Sequence, residues 1–410
     1  MGKKVTVVGG GASGMVAAIA AARQGAEVTI IEHMDRVGKK LLSTGNGRCN
    51  LTNLSLAEKC YHCSQEGFPM KVLNRFGVQD TLDFFWDLGL VTKSKNGYIY
   101  PNSEQAAAVL DLLRLELEHQ KVCVLLSSEI RQPIQKKRGR FLVRIGKGDI
   151  SSDALILAAG SRAAPVTGSD GSGYQLARKF GHRILTPLPA LVQLRCSGKY
   201  FKQLAGVRCE ARVTLYSEGR KLAADTGEVQ LTDYGISGIP TFQVSRFASK
   251  KLAEGKEVHA VLDFMPTMTK TNGRDFLKRR AALLPERKCR DFLTGVFHKK
   301  LAFVLLRLSG IAEEQSVGKV ADASWEQLLD QIKGFEAPVT ATNSFEQAQV
   351  CCGGADTREV VPETLESRLV PGLYLVGELL DVDGVCGGYN LQWAWSTGYL
   401  AGTHAGREAI

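Results

Sequence analysis

Three groups of residues in this chain have the types and spacing to do chemistry. Near its start Gly9, Gly11 and Gly14 stand as G-x-G-x-x-G, with Ala12 and Ser13 between the last two. Such a turn lets backbone N–H groups approach a pyrophosphate at a helix N-terminus, where unpaired donors and the helix dipole favour an anion. About 20 residues further on, Glu32 is placed to accept hydrogen bonds from a ribose diol. Its charge would repel a 2′-phosphate, so the ligand reads as the ADP part of FAD or NAD. The second group follows at once: Lys39, Lys40 and Arg48 supply positive charge, Gly45 and Gly47 permit close approach of backbone to a planar ring, and Asn46 and Asn50 offer donors and acceptors. The third lies near the other end, where Gly377-Glu378 closes an apolar run and Asp383 precedes Gly388-Tyr389-Asn390-Leu391-Gln392. It repeats the logic of a backbone turn aimed at a ligand from a helix start.

The elements needed to position these groups are present around them. Val5–Val8 reads as a buried strand before the glycine turn, the alanine-rich run from Met15 to Arg23 as a helix, and Glu27–Ile31 as a second strand ending at Glu32. The run from Trp393 through Trp395 and Tyr399 to Ala405 reads as a helix behind the third group. FAD spans both ends of its fold and needs such a remote wall, so the C-terminal group favours FAD over NAD. There is no second strand–G-x-G-x-x-G–helix unit: Gly168, Gly171 and Gly173 stand in the order G-x-x-G-x-G, after a loop. A nicotinamide donor would therefore have no domain of its own.

The stretch from Arg36 to Asn53, with T-G-N-G-R-C-N at its centre, resembles the signature of bacterial NAD(P)/FAD-dependent oxidoreductases. That group includes aminoacetone-oxidase-like enzymes and FAD flavoproteins associated with bile-acid dehydroxylation. The resemblance continues through Pro187–Leu191, Gly227–Pro240 and the segment from Gly377 to Gly398. It implies an α/β, Rossmann-like FAD domain built from both chain ends, interrupted by an inserted β-rich plus helical substrate domain. The implied contacts are Gly9, Gly11, Ala12, Ser13, Gly14, Glu32, Lys39, Lys40, Gly45, Asn46, Arg48, Cys49, Asn50, Ile130, Gly160, Gly377, Glu378, Asp383 and Gly388 to Gln392. Three positions depart from the family pattern. Ala159 and Ser161 stand where relatives have a threonine and a second glycine, and Asp233 stands where a histidine commonly follows the threonine.

The expected domains are residues 1–188 and 335–410 for FAD, 189–266 for a β-rich part and 267–334 for a helical part. Residues 151–160 read as a parallel strand of the FAD domain. Glu210–Tyr216 and Glu257–Phe264 read as strands. Helices are expected over Asn272–Leu284, Arg287–Phe297, Lys300–Leu308 and Trp325–Lys333, with Phe276, Leu277, Leu283 and Leu284 as core. The glycine-rich Gly227–Pro240 reads as a loop, and Asp233, Tyr234 and Cys49 are the candidates for proton transfer.

Composition limits the classes of function. Hydrophobic residues at 44% and charged residues at 23% exclude a disordered or fibrous chain, and 52 basic against 42 acidic residues leave +10, spread along the sequence apart from clusters such as QKKRGR at 135–140. No arginine-rich or aromatic-interleaved stripe points to nucleic acid, no apolar run reaches the length of a membrane span, and no secretory leader is visible, so a cytoplasmic protein is expected. Ten cysteines are too few for a disulfide scaffold. Cys60 and Cys63 lack the second pair a zinc site needs, and the adjacent Cys351 and Cys352 read as packing. Three activities remain: an NADH- or NADPH-driven reductase of a small organic substrate, acting on a C=C bond or similar acceptor; an amine oxidase releasing peroxide; and an FAD-dependent protein that modifies RNA.

Overall fold

Apolar runs between glycine turns assemble a five-stranded parallel sheet in the order Leu373–Leu375, Ala154–Leu157, Lys4–Val8, Glu27–Ile31, Cys123–Leu125. A parallel sheet is covered on both faces, and its inner strands accordingly bury nearly every side chain: Val5, Val7 and Val8, then Leu155, Ile156 and Leu157. The computed structural model describes residues 2–130, 134–146 and 148–408. The chain divides into a unit of Met1–Leu188 with Gln349–Ile410, and a second of Pro189–Ala348. Each has its own apolar core.

In the first unit, the helix Ala12–Arg23 follows the first strand and packs against the last helix, Tyr389–Gly406. Gly398, Gly402 and Gly406 recur every four residues on the facing side. A Cβ at these positions would lie 2.4 Å from the Ser13 carbonyl oxygen, 2.1 Å from that of Ala17 and 2.6 Å from that of Ala21. The two backbones touch, and only glycine allows it.

The expected strand over 151–160 is two strands. Asp153 accepts the amide hydrogen of Lys4 at 2.8 Å and breaks the run; Gly148–Ser152 belongs to an antiparallel ribbon, and only Ala154–Leu157 joins the parallel sheet.

The second unit is built on a closed barrel whose strands run Leu194–Cys196, Gly235–Gly238, Arg220–Thr232, Arg208–Ser217, Val258–Asp263 and Phe335–Thr342, the last pairing back with the first. Alternation puts Val213, Leu215, Leu231, Ile236, Leu262 and Ala337 into the core. The helix Ile239–Ala253 adds Val244 and Ala248. Three expectations are corrected here. Phe335–Thr342, assigned by sequence to the FAD domain, is a barrel strand, because its alternating buried residues pair with Val258–Asp263. Gly227–Pro240 is not a loop: its first part completes a long strand, Asp233 and Tyr234 form the turn, and Gly235–Gly238 pairs back. Arg287–Phe297 is no helix, since Cys289 and Arg290 donate their amides to the carbonyls of Gln315 and Glu313, leaving a short 3₁₀ turn at Cys289–Asp291. The helices nearby are Lys270–Leu283, Lys299–Leu308 and Asp322–Lys333. Leu277 is core as expected, but Leu283 is 79% exposed.

Candidate active site

The glycine turn after the first strand has the shape a dinucleotide needs. A Cβ on Gly14 would come within 2.0 Å of the Gly9 carbonyl oxygen, so the helix can start this close to the turn only with glycine there. A Cβ on Gly11 would meet nothing within 4 Å: it would project into the open cradle that lies over the first, uncapped turn of the helix. That is the position where a pyrophosphate rests on helix N–H groups.

Glu32 is buried at the end of the second strand. Its Oε2 accepts the Gly10 amide at 2.7 Å and its Oε1 accepts the Met34 amide at 2.8 Å. The carboxylate thus fixes the turn, and each oxygen retains a lone pair for a ribose hydroxyl. Cradle and carboxylate together fit the ADP part of FAD.

The second group forms a tightly wound loop. After the short helix Lys39–Ser43, the residues Gly45, Asn46, Gly47 and Cys49 all take positive φ, between 55° and 83°. For Asn46 and Cys49 this is a costly conformation, held by the surrounding structure. Gly45, Asn46, Gly47 and Arg48 are exposed, while Cys49 is fully buried. Burial pushes the Cys49 thiol up to about 12, against a weaker opposing hydrogen bond with Thr44. It is a sealed, protonated thiol and no candidate for proton transfer at neutral pH. The positive charges of this group are largely matched: Lys39 pairs with Asp35 at 2.6 Å and Lys40 with Glu378 at 2.7 Å, whereas Arg48 only approaches Glu104 at 4.0 Å.

Sequence reasoning missed that link between the chain ends. Glu378 Oε2 receives both the Lys40 ammonium and the Ser161 hydroxyl, the latter at 2.7 Å. Ser161 is thus one of the departures from the family pattern, and it supplies a donor where a glycine could not.

Several C-terminal residues hold the site's frame. Asn390 closes the loop before the last helix, accepting from the Gly384 amide and donating to the Gly384 carbonyl, both at 2.8 Å. Tyr389 donates its hydroxyl to the Ser55 carbonyl, and with its amide turned Asn50 donates to the carbonyls of Ile99 and Thr52. Gln392, expected as a contact, is fully buried in a network with Thr52, Thr81, Ser396 and the Gly77 carbonyl. Its side chain faces protein on all sides, because a polar group inside a packed helix must find partners there. Asp383 is buried in a strand paired with Tyr61–Cys63, Gly388 packs on the Thr52 backbone, and Leu391 and Ile130 are half-buried against the core. Gly160 abuts Ser169, and Gly377 abuts Ser13. Cys60, Cys63, Cys351 and Cys352 are thiols outside any disulfide; Cys63 meets the Thr357 hydroxyl at 3.3 Å.

Of the proton-transfer candidates, Tyr234 has a built environment within the inserted unit. The Arg195 guanidinium lies 5.0 Å from the centre of its ring and donates to Asn343 Oδ1 at 3.1 Å, which turns the Asn343 amide so that Nδ2 donates to the Tyr234 oxygen at 3.2 Å. The phenolic proton is left to be donated elsewhere. Asp233 is exposed beside it. Arg195 lies on strand Leu194–Cys196 and Asn343 just past the end of strand Phe335–Thr342, far apart in sequence, so no local pattern marks them.

A parallel sheet, a glycine cradle under a helix start and a buried acid at the end of the second strand suit a dinucleotide, and the class is that of an FAD-dependent oxidoreductase. The profile described as HI0933-like protein Rossmann domain matches residues 3–404, and the chain belongs to that family. It is 49% identical over 404 residues, 98% of each chain, to the 3-dehydro-bile acid delta(4,6)-reductase of Clostridium scindens. It is 28% identical over 408 residues, again 98% of each, to the ribosomal RNA dihydrouridine synthase of Haemophilus influenzae. Among solved structures, a flavocytochrome c3 fumarate reductase aligns with a TM-score of 0.50 at 15% identity, over 98% of this chain and 78% of that one, a likeness of fold alone. Among the described residues no helix is long and apolar enough to cross a membrane.

Proposed function

We propose that this enzyme reduces a carbon–carbon double bond conjugated to a carbonyl group in a small steroid-like substrate, with NADH or NADPH as the electron donor. The observation that carries the reading is 49% identity, end to end, with a reductase whose name denotes a 3-ketone with double bonds beginning at carbons 4 and 6. Dihydrouridine, the product named for the more distant relative, also differs from its parent by saturation of a double bond next to a carbonyl.

FAD, when bound, accepts a hydride and passes it on through N5. The chain's own residues do the rest. The cradle at Gly11 and the Glu32 carboxylate hold the ADP part, and the pair Lys40–Glu378 braces the loop that follows. Saturating a double bond also needs a proton on the second carbon, and Tyr234, oriented by Asn343 and Arg195, is the donor we assign.

The test is an anaerobic titration of the flavin with NADH and NADPH, followed by addition of a 4-en-3-one or 4,6-dien-3-one bile acid. The expected product is heavier by two hydrogens per bond reduced, with the better donor naming the coenzyme. A flavin that reduces but never passes electrons to these ketones would refute the steroid reading. Peroxide release with an amine would support the oxidase instead. The 28% identity to RNA-modifying relatives, together with the net charge of +10, favours a second substrate for the same chemistry, uridine in RNA; loss of the uracil absorbance on incubation with reduced enzyme would establish it.

A further inference from the structure

A concave surface lies wholly within the inserted unit, on the face of helix Lys270–Leu283 and the residues just past its end, with a volume of about 520 Å³. Small-molecule sites commonly enclose about 300–1,000 Å³. Its walls combine two chemistries, apolar and cationic. Phe276, Leu283 and Leu284 supply an apolar floor, and Leu283 is 79% exposed on it. Arg279, Arg280 and Arg287 supply three positive charges against one acid, Asp275.

The arginines differ from the basic groups around them. On the same helical part Arg274 holds Glu326 in a two-pronged pair, Lys270 reaches Asp330 and Arg290 reaches Glu314. Arg280 is anchored instead by neutral acceptors: it donates to the carbonyls of Phe292 at 2.6 Å and Thr294 at 2.7 Å and lies 5.7 Å from the centre of the Phe292 ring, so its charge is oriented without being neutralised. Among the described residues Arg279 and Arg287 have no carboxylate within ion-pair distance. Guanidinium groups bind carboxylates by paired, charge-assisted hydrogen bonds, and aliphatic walls select an apolar body beside them. Nucleobases would call for a stack of aromatic rings, and this surface has one, Phe276, beside two leucines.

We infer that this concavity is a binding site for an amphipathic carboxylate, its apolar body on Phe276, Leu283 and Leu284 and its carboxylate on Arg279 and Arg287. The body could be fused rings or an acyl chain, and the probes separate these sources. Arg279 and Arg287 take no part in the reduction proposed above, so binding here and turnover can fail separately.

The experiment is calorimetry on the FAD-loaded enzyme with cholate and with laurate, each below its micellar concentration, repeated on the double variant Arg279→Glu/Arg287→Glu and on Leu283→Asp. A binding step weakened tenfold or more in both variants, with flavin absorbance and turnover unchanged, is the expected result. The better probe then identifies the body. The alcohol that corresponds to that probe should bind the unaltered enzyme no better than the carboxylate binds the double variant. An isotherm that the variants leave unchanged overturns the inference, as does the absence of any binding step. A short single-stranded RNA that binds the enzyme through these arginines while neither carboxylate does would overturn it in favour of a nucleic-acid contact.

Discussion

In the nucleotide-binding unit, helix Ala12–Arg23 meets helix Tyr389–Gly406 along Gly398, Gly402 and Gly406, and backbone rests on backbone. The inserted unit does the reverse: Val213, Leu215, Leu231, Ile236 and Leu262 fill a closed barrel with branched side chains. The first arrangement has no room for an added atom, and the second depends on atoms already present. Rigidity by contact suits a cradle whose N–H groups must keep their places. Rigidity by filling leaves the barrel's outer loops free to vary, and the Asp233–Tyr234 turn and the arginine-lined concavity both lie on such connections or outer elements.

The contrast can be broken most severely at Gly402. Gly402→Val drives a branched side chain into the Ala17 carbonyl, and overpacking of this kind costs about 3 kcal/mol or more. The variant is expected to purify without flavin and with its cooperative melting transition lost or strongly lowered. Leu231→Ala addresses the other unit by removing atoms. It should destabilise by about 2–5 kcal/mol, yet leave FAD on the enzyme at temperatures where the barrel remains folded. A flavin lost in step with the barrel's unfolding would show that the two modes of packing are not independent.

Effects confined to the site come next. Tyr234→Phe should reduce double-bond reduction about 10²–10⁴-fold while NAD(P)H still reduces the flavin at its former rate; stopped-flow absorbance separates the two half-reactions. Glu32→Ala should weaken FAD binding by about 10- to 150-fold, one charge-assisted hydrogen bond being worth about 1.5–3 kcal/mol, as read by fluorescence titration of the stripped enzyme. Full flavin occupancy in the purified variant would contradict the ribose assignment.

The smallest effect sharpens the comparison by pH. His182 is buried in the nucleotide-binding unit, with Nδ1 3.1 Å from Glu359 and Nε2 2.8 Å from the Ser367 hydroxyl. Burial lowers its pKa, with Glu359 opposing. Above the ordinary histidine value of about 6.5 the folded and unfolded forms are both neutral, so the shift adds nothing. As pH falls through that value the unfolded chain binds a proton that the folded one resists, and stability declines until the folded pKa is reached. Melting curves between pH 7.5 and 5 should show this slope, and His182→Gln should flatten it.

Much of the nucleotide-binding unit was legible because its signals are local. The glycine spacing, the alanine-rich helix and the strand ending at Glu32 lie within about 30 residues, and each follows from close approach or strand period. The barrel was legible only as strands. Its closure by Phe335–Thr342 depends on pairing with Val258–Asp263, and nothing within the segment itself distinguishes a barrel strand from a sheet strand. Charge was misread for a similar reason: Lys40 looks free beside its neighbours, and its partner Glu378 is 338 residues away. Gln392 was expected as a contact from the family resemblance and the glycine turn before it, but its side chain is held inside the protein by Thr52 and Thr81.

The glycine stripe also sets the order in which the molecule can be made. Helix Ala12–Arg23 is synthesised more than 360 residues before its partner. At about 5–20 residues per second the wait is roughly 20–70 seconds. Over that interval the barrel, contiguous from Pro189 to Ala348, has its whole sequence available, while the strand and helix of the cradle lack the surface they press against. Completion of the cradle therefore waits for the second helix, and the alanine face of the first is the surface that a nascent chain must keep from other partners until then.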